Sequence, residues 1–314
     1  MQKTVLKKNN SKEKFWKTLR RNEPPGLRSF PYDEESRGLY RMMDNTTKVL
    51  VLDIDGTLTN SRKEISKATN EALQRIMEMG HKVILASGRP TPGMRRYEKE
   101  LNLCEKGGYL LSYNGARIID CKTNEVVYQQ LLPLHMIDGL YDFAKENGCG
   151  LITYLNGEVI SAFEPDEYVQ LEARINGLPI RVVEQFKEFV DFDINKCLLT
   201  APAEKAPGFE KELQEKYKEF ASVYRSEPFF IEVMPKNVDK AASLEHMLEK
   251  LGISVEQVIC CGDGFNDISM IRFAGVGVAM GNAQEAVKEA ADYICPTNDE
   301  DGLVDVINRF ILQH

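Results

Sequence analysis

Apolar positions along this chain change rhythm several times. From Lys48 the segment KVLVLDI (48–54) is a continuous apolar run of strand length, ending at Asp55-Gly56-Thr57, where glycine permits a turn. Ser66 then opens a stretch in which Ala72, Leu73, Ile76 and Met77 fall on one helical face, and Gly80 stops it. HKVILAS (81–87) is a second apolar run. Strand, helix and strand in that order predict a right-handed βαβ unit and the start of a parallel sheet. A helix over 92–101, a strand at YLLSY (109–113), a turn at Asn114-Gly115 and paired strands at ARIID (116–120) and EVVYQQ (125–130) follow.

The rhythm then changes. Residues 134–147 read as an amphipathic helix, and LITYL (151–155) with EVISA (158–162) as a hairpin across Asn156-Gly157. Further helices are predicted at 165–176 and 204–219, with strands at 180–183, 196–200, 221–225 and 229–233. After Pro235 the alternation of helix and apolar strand returns: helices over 239–251, 266–273, 283–290 and 302–313, interleaved with QVICCGD (257–263), GVGVAM (275–280) and DYIC (292–295). The expected fold is α/β, a doubly wound parallel sheet built from residues 47–122 and 235–314. A separate α/β cap domain at 123–234 interrupts it.

Composition narrows the function classes. Hydrophobic residues at 43% and charged residues at 28% are ordinary globular usage. The net charge of −8 gives a field that repels nucleic acid and anionic lipid, so neither is an expected partner. No run approaches the roughly 18 apolar residues of a membrane span. Seven scattered cysteines without a C-x-x-C spacing point to a reducing, cytoplasmic setting, with Cys260 and Cys261 read as strand filler. Residues 1–46 stand apart as a basic extension. Nine basic residues through Arg28 face only Glu13 and Glu23, and Pro24, Pro25, Gly26 and Pro31 interrupt any helix. A solvated tail is expected, with a short basic helix over 11–21 as the alternative. Nothing in the sequence points beyond a monomer or weak homo-oligomer.

Chemistry concentrates at strand ends. Asp53 and Asp55 lie two apart at the end of an apolar strand, so in extended backbone both project from one face at the carboxyl edge of the sheet, where ligands of open α/β sheets bind. Two carboxylates there call for a compensating cation or substrate. A second acidic cluster, Gly262-Asp263-Gly264-Phe265-Asn266-Asp267, also follows an apolar strand and opens a helix. Were the two strands neighbours, Asp53 and Asp263 would converge on hard oxygen donors suited to Mg²⁺ and a bridging phosphate. Phosphate also needs fixed donors and positive charge. Ser87 offers a hydroxyl and a backbone N–H, Lys240 a charge at a helix start, and Asn266 an amide. Arg89 and Asn114 either face a leaving group or are a solvated arginine and a turn asparagine.

The segments DIDGTL (53–58), LASGRP (85–90), PKNVDKAASL (235–244) and GDGFNDISM (262–270) resemble, in order and context, the motifs of the haloacid dehalogenase superfamily. The insertion between the second and third motifs is similar to that of the Cof-type (subfamily IIB) phosphatases, as are SYNGA (112–116), VAMGNAQEAVKEAADYI (278–294) and NDEDGL (298–303). The resemblance implies a Mg²⁺-dependent phosphatase for a small phosphorylated metabolite, a sugar phosphate or related compound. Asp53 would be the nucleophile that forms an aspartyl-phosphate, and Asp55 the general acid and base. The metal would lie between the Asp53 carboxylate, the Asp55 backbone carbonyl and Asp263, with Asp267 holding its waters. The Ile54 amide, Ser87, Gly88, Lys240 and Asn266 would hold the phosphate. The chain departs from the family pattern at Asn237 and Ala241, where glycine is usual. A sugar phosphomutase and a non-catalytic phosphate-binding module are the alternatives, the latter disfavoured by the complete acid set.

Overall fold

A computed structural model of the chain describes residues 47–312. The basic extension, and the helix over 11–21 considered for it, lie outside the described residues.

The first segment runs β1 (Val49–Leu52), α1 (Lys67–Glu78), β2 (Lys82–Ala86), α2 (Thr91–Glu100), α3 (Leu103–Lys106), β3 (Gly108–Ser112), β4 (Arg117–Asp120) and β5 (Val126–Gln129). The middle contributes α4 (Ile137–Asn147), β6 (Gly150–Leu155), β7 (Glu158–Ser161), α5 (Glu167–Asn176), β8 (Ile180–Val182), α6 (Phe186–Phe189), β9 (Cys197–Thr200), α7 (Ala206–Tyr217), β10 (Ala221–Glu227) and β11 (Phe230–Pro235). The last segment is α8 (Lys240–Leu251), β12 (Val258–Gly262), α9 (Ile268–Phe273), β13 (Val276–Ala279), α10 (Glu285–Ala290), β14 (Tyr293–Ile294) and α11 (Gly302–Ile307). The single helix expected over 302–313 gives way at Asn308 to a wider π turn through Leu312.

Two sheets result. The first has the order β14-β13-β12-β1-β2-β3-β4-β5, parallel from β14 to β3 and antiparallel for β4 and β5. The chain leaves it after Gln129, beyond the expected boundary at 122, because the β4–β5 hairpin pairs back onto β3. Its buried strands lack polar alternation because both faces are covered. Leu50 and Leu52 of β1, with Ile259 and Cys261 of β12, join one core with Leu73, Ile76, Leu303 and Val306. Val49, Val51, Val258 and Cys260 point the other way, into a core with Leu244, Met247, Leu248 and Met270. Each fully buried leucine contributes roughly 1.5–3 kcal/mol. The adjacent cysteines Cys260 and Cys261 are thus filler, one for each layer.

The second sheet, β10-β11-β9-β6-β7-β8, is antiparallel except for β7 with β8. On one face Leu151, Leu199, Ile231 and Val233 pack with Leu140, Phe143, Phe186 and Leu213 from its helices. The other face carries Ile152, Tyr154, Leu198, Phe230 and Met234, which pack with Val169 and Ala173 of α5 and with Tyr113 and Ala116 from the β3–β4 connection. That connection is unusual backbone: Tyr113 (φ 52°), Asn114 (φ 51°) and Gly115 (φ +105°) are all left-handed. Asn237 also has positive φ (62°), which asparagine tolerates better than most residues.

Candidate active site

Asp53 follows β1, Ser87 follows β2 and Asp263 follows β12. These three strands are adjacent and parallel, with Leu52 level with Cys261 and Leu85. The connections run outward in opposite directions from β1 and β12, which leaves a crevice at their carboxyl ends. The expected convergence is therefore present, since Asp53, Asp263 and Asp267 each place a carboxylate oxygen within 4.8 Å of the others.

Lys240 reaches into this group from the first turn of α8, a helix capped by Asp239, whose side chain accepts the Ala242 N–H. Its side chain is completely buried. The Nζ atom donates to Asp53 Oδ1 at 2.7 Å, Asp267 Oδ1 at 2.6 Å and the Ala86 carbonyl at 2.9 Å, so all three ammonium donors are used. A buried charge persists only when paired and hydrogen-bonded in this way. The other oxygen of Asp267 accepts from the N–H groups of Asp263 and Gly264, at 3.0 and 2.9 Å. Asp267 thereby shapes the loop that presents Asp263.

One lysine does not neutralise three carboxyl groups. Burial, and then Asp267, push the Asp53 carboxyl well above its ordinary value against the pull of Lys240. Burial and Asp267 also raise Asp263 to about 6, although the Thr57 hydroxyl donates to it at 3.2 Å. Uncompensated negative charge on hard oxygen donors fits a small divalent cation at Asp53 and Asp263. Gly56 makes the close approach feasible. Its φ is +84°, and a Cβ there would lie 2.3 Å from Asp263 Oδ2.

Asp55 is placed differently from the sequence expectation. Extended backbone stops at Leu52, so Asp55 lies in the turn beyond the strand, and its carboxylate is met by cations other than Lys240. Its carboxylate takes a two-point contact from Arg89, Nε at 2.7 Å and Nη2 at 2.9 Å, and a third from Lys63 Nζ at 2.9 Å. Burial works to raise its pKa, but Arg89 and then Lys63 prevail and hold it at about 2. Arg89 is thus buried and ion-paired, not solvated, and its Nη1 also donates to the Ile175 carbonyl at the end of α5, at 2.7 Å.

The remaining expected residues line the same edge. Ser87 is buried, and its hydroxyl oxygen accepts the Arg89 N–H at 3.2 Å. The Ser87 backbone N–H, read from the sequence as available, is instead committed to the Leu111 carbonyl at 2.9 Å, because it still belongs to the β2–β3 ladder. Ile54 anchors the turn, its carbonyl accepting from the Thr59 N–H and hydroxyl. Gly88 passes close to Asn114, since a Cβ on it would lie 3.2 Å from that carboxamide. Exposed Asn266 donates to Asn114 Oδ1 at 3.1 Å, and Asn114 Nδ2 donates to the Tyr224 hydroxyl of β10 at 3.0 Å. Sequence reasoning missed Lys63, Tyr224 and Asn282, which donates to the Gly56 carbonyl at 2.8 Å. Tyr224 and Asn282 act through contacts 110 and 226 positions away, and Lys63 through a turn that folds it back onto Asp55, so no periodic pattern flags them.

Known proteins match this geometry along most of its length. The pattern of the haloacid dehalogenase-like hydrolases matches residues 50–307. The Bacillus subtilis 5-amino-6-(5-phospho-D-ribitylamino)uracil phosphatase YcsE is 33% identical over 269 residues, 86% of this chain and 98% of its own. A haloacid dehalogenase-like hydrolase from Bacteroides thetaiotaomicron superposes with a TM-score of 0.82 at 47% identity, covering 85% of this chain and all of its own. The subclass IIB sugar phosphatase BT4131 gives a TM-score of 0.72 at 30% identity over 84% and 99% of the two chains. The likeness spans both sheets and the carboxyl edge between them, and with it the chain belongs to the haloacid dehalogenase-like hydrolases as a Cof-type phosphatase acting on phosphoric monoesters.

Proposed function

We propose that the protein is a Mg²⁺-dependent phosphatase of small sugar phosphates or related metabolites, working through an aspartyl-phosphate on Asp53. The observation that carries this reading is the buried group of Asp53, Lys240, Asp267 and Asp263 at the crevice between β1 and β12. Lys240 occupies Asp53 Oδ1, which leaves Oδ2 to attack phosphorus. As that bond forms, the bond to the leaving oxygen breaks and Asp55 supplies its proton. Asp55 then takes a proton from the water that hydrolyses the aspartyl-phosphate, which regenerates Asp53 and releases phosphate. Asp55 is held ionised by Arg89 and Lys63, so it serves as donor only after Arg89 turns to another anion, its pKa rises and it takes up a proton from solvent, and the phosphoryl group is the natural competitor for a guanidinium. The Ile54 and Gly88 amides, the Ser87 hydroxyl, Lys240 and Asn266 hold the phosphoryl oxygens. The Asp53 and Asp263 carboxylates with the Asp55 carbonyl would hold Mg²⁺, Asp267 acting on its waters, and the ion would neutralise charge on the transferring group.

Residues 130–234 act in this reading as a cap that closes over the leaving group and sets specificity, through the Arg89–Ile175 and Asn114–Tyr224 contacts between the two sheets. The names of YcsE and BT4131 describe phosphates on a ribityl chain and on sugars, which supports the same substrate class here. Seven free cysteines support a cytoplasmic setting. The test is turnover of p-nitrophenyl phosphate and a panel of sugar phosphates by the full chain. Activity should require added Mg²⁺, vanish in EDTA and vanish in Asp53→Asn. Full activity under chelation, or substantial turnover by that variant, would refute the mechanism.

A further inference from the structure

A second set of buried charges lies away from the acidic trio, on the face of the second sheet that meets the β3–β4 connection. Lys196, immediately before β9, is 3% exposed, yet its ammonium has one ion-pair partner among the described residues, Glu232 Oε2 at 3.0 Å. Its other neighbours are the Glu172 carboxylate, which with Glu232 raises its pKa against the effect of burial, and the ring of Tyr154, 5.3 Å away at the centroid. An ammonium has three donors, and a buried one left largely unspent is costly. Nothing in the packing of a passive core requires it, since well-packed apolar residues of similar volume commonly do as well or better than a buried ion pair.

The neighbours extend the polar set toward the catalytic edge. Glu172 of α5 accepts from the Tyr154 hydroxyl at 2.6 Å. Ser226 donates to Glu232 Oε1 at 2.9 Å, and Tyr224 lies directly across from Glu232 in the β10–β11 pairing. The Tyr224 hydroxyl is the one that meets Asn114, which in turn holds Asn266. The Tyr154 ring packs 5.9 Å from that of Tyr113, the residue before Asn114. A continuous line of polar groups therefore leads from the expected phosphate site to a buried lysine with unspent donors.

We infer that Lys196, Glu232 and Tyr224, backed by Glu172 and Tyr154, form a subsite that recognises hydroxyl groups of the leaving group. Sugar and polyol hydroxyls both donate and accept, so they can accept hydrogen bonds from Lys196 and donate hydrogen bonds to the glutamates. Two glutamates against one lysine disfavour a second phosphate or carboxylate. An apolar aryl group would leave the lysine unpaired, which is how a site built for hydroxyls rejects analogues without them. The inference rests on the proposed function, because it assigns the leaving group of the same reaction.

The test compares kcat/KM for sorbitol 6-phosphate and glucose 6-phosphate with that for p-nitrophenyl phosphate, in the full chain and in Lys196→Met combined with Glu232→Leu. Removing both members of the pair leaves neither stranded, and Glu172 keeps its hydrogen bonds from Tyr154 and Asn176, so the double variant should unfold near the wild-type temperature. Its ratio of hydroxylated ester to aryl ester should fall roughly 10- to 100-fold, mainly through a higher KM, as expected for lost hydrogen bonds to charged groups. Tyr224→Phe, which removes one oxygen and no charge, should lower the ratio in the same direction and serves if the double variant does not fold. A ratio that changes less than threefold in the folded variant tested overturns the subsite while the phosphatase reading stands. Wild-type protein that hydrolyses the aryl ester but neither hydroxylated ester overturns it too. Wild-type protein inert on every ester would sink the proposed function, and the subsite with it.

Discussion

Lys240→Met tests whether charge balance holds the catalytic edge together. The substitution keeps the volume of a fully buried side chain and removes its ammonium, which pairs with Asp53 at 2.7 Å and Asp267 at 2.6 Å. Deleting one partner of a buried ion pair costs about 3–5 kcal/mol, because the charge left behind is unpaired. At about 2–4 °C per kcal/mol for a chain of this size, the melting temperature should drop by roughly 6–20 °C. The pH dependence gives a second handle. Asp53 already has a folded-state pKa above its unfolded value of about 3.9, and losing Lys240 raises it further. A group raised on folding favours the folded state below its unfolded pKa and loses that contribution as pH rises through the folded value. The deficit should therefore be greatest at pH 7–8 and shrink as pH falls toward about 4. Urea unfolding followed by circular dichroism at several pH values, in chelator, measures both. A loss below about 1 kcal/mol that does not vary with pH would refute the reasoning.

Gly56→Ala places a methyl group at φ +84° and 2.3 Å from Asp263 Oδ2, so the turn and the carboxylate cannot both keep their positions. Turnover of p-nitrophenyl phosphate should fall at least about 100-fold, as expected for a misplacement near 1 Å, while the folded state persists by circular dichroism. Arg89→Met removes the two-point contact that holds Asp55 at a pKa of about 2. Asp55 is partly exposed, so the stability involved is screened to about 1 kcal/mol. A depressed carboxyl stabilises above its unfolded pKa, so the loss should be complete above about pH 4 and vanish as pH falls through about 2. Coincident acid-unfolding curves for wild type and variant would contradict that assignment.

Much of the architecture is determined locally. Short, β-branched apolar runs such as VLVL and VICC, bounded by turn residues, read as strands buried on both faces, and Ser66, Asp166 and Asp239 mark helix starts because their side chains accept the orphan N–H groups there. The acidic motifs were legible for the same reason: carboxylates that end apolar strands are too costly to keep without a partner. Tertiary structure alone decided what those partners are. Lys240 meets Asp53 across 187 positions, and Arg89 reaches both Asp55 and the Ile175 carbonyl, contacts with no periodicity or spacing to announce them. Asp55, which an extended strand would have set on the same face as Asp53, lies in the turn after β1, where Arg89 and Lys63 meet its carboxylate. The boundary expected at 122 falls inside the β4–β5 hairpin: the pairing of ARIID with EVVYQQ was legible locally, but only the antiparallel pairing of β4 with β3 shows that both belong to the first sheet. The buried lysine at 196 lies next to an apolar strand whose sequence suits any core. Its meaning comes only from Glu232 and Tyr154, which the fold brings to it from other strands.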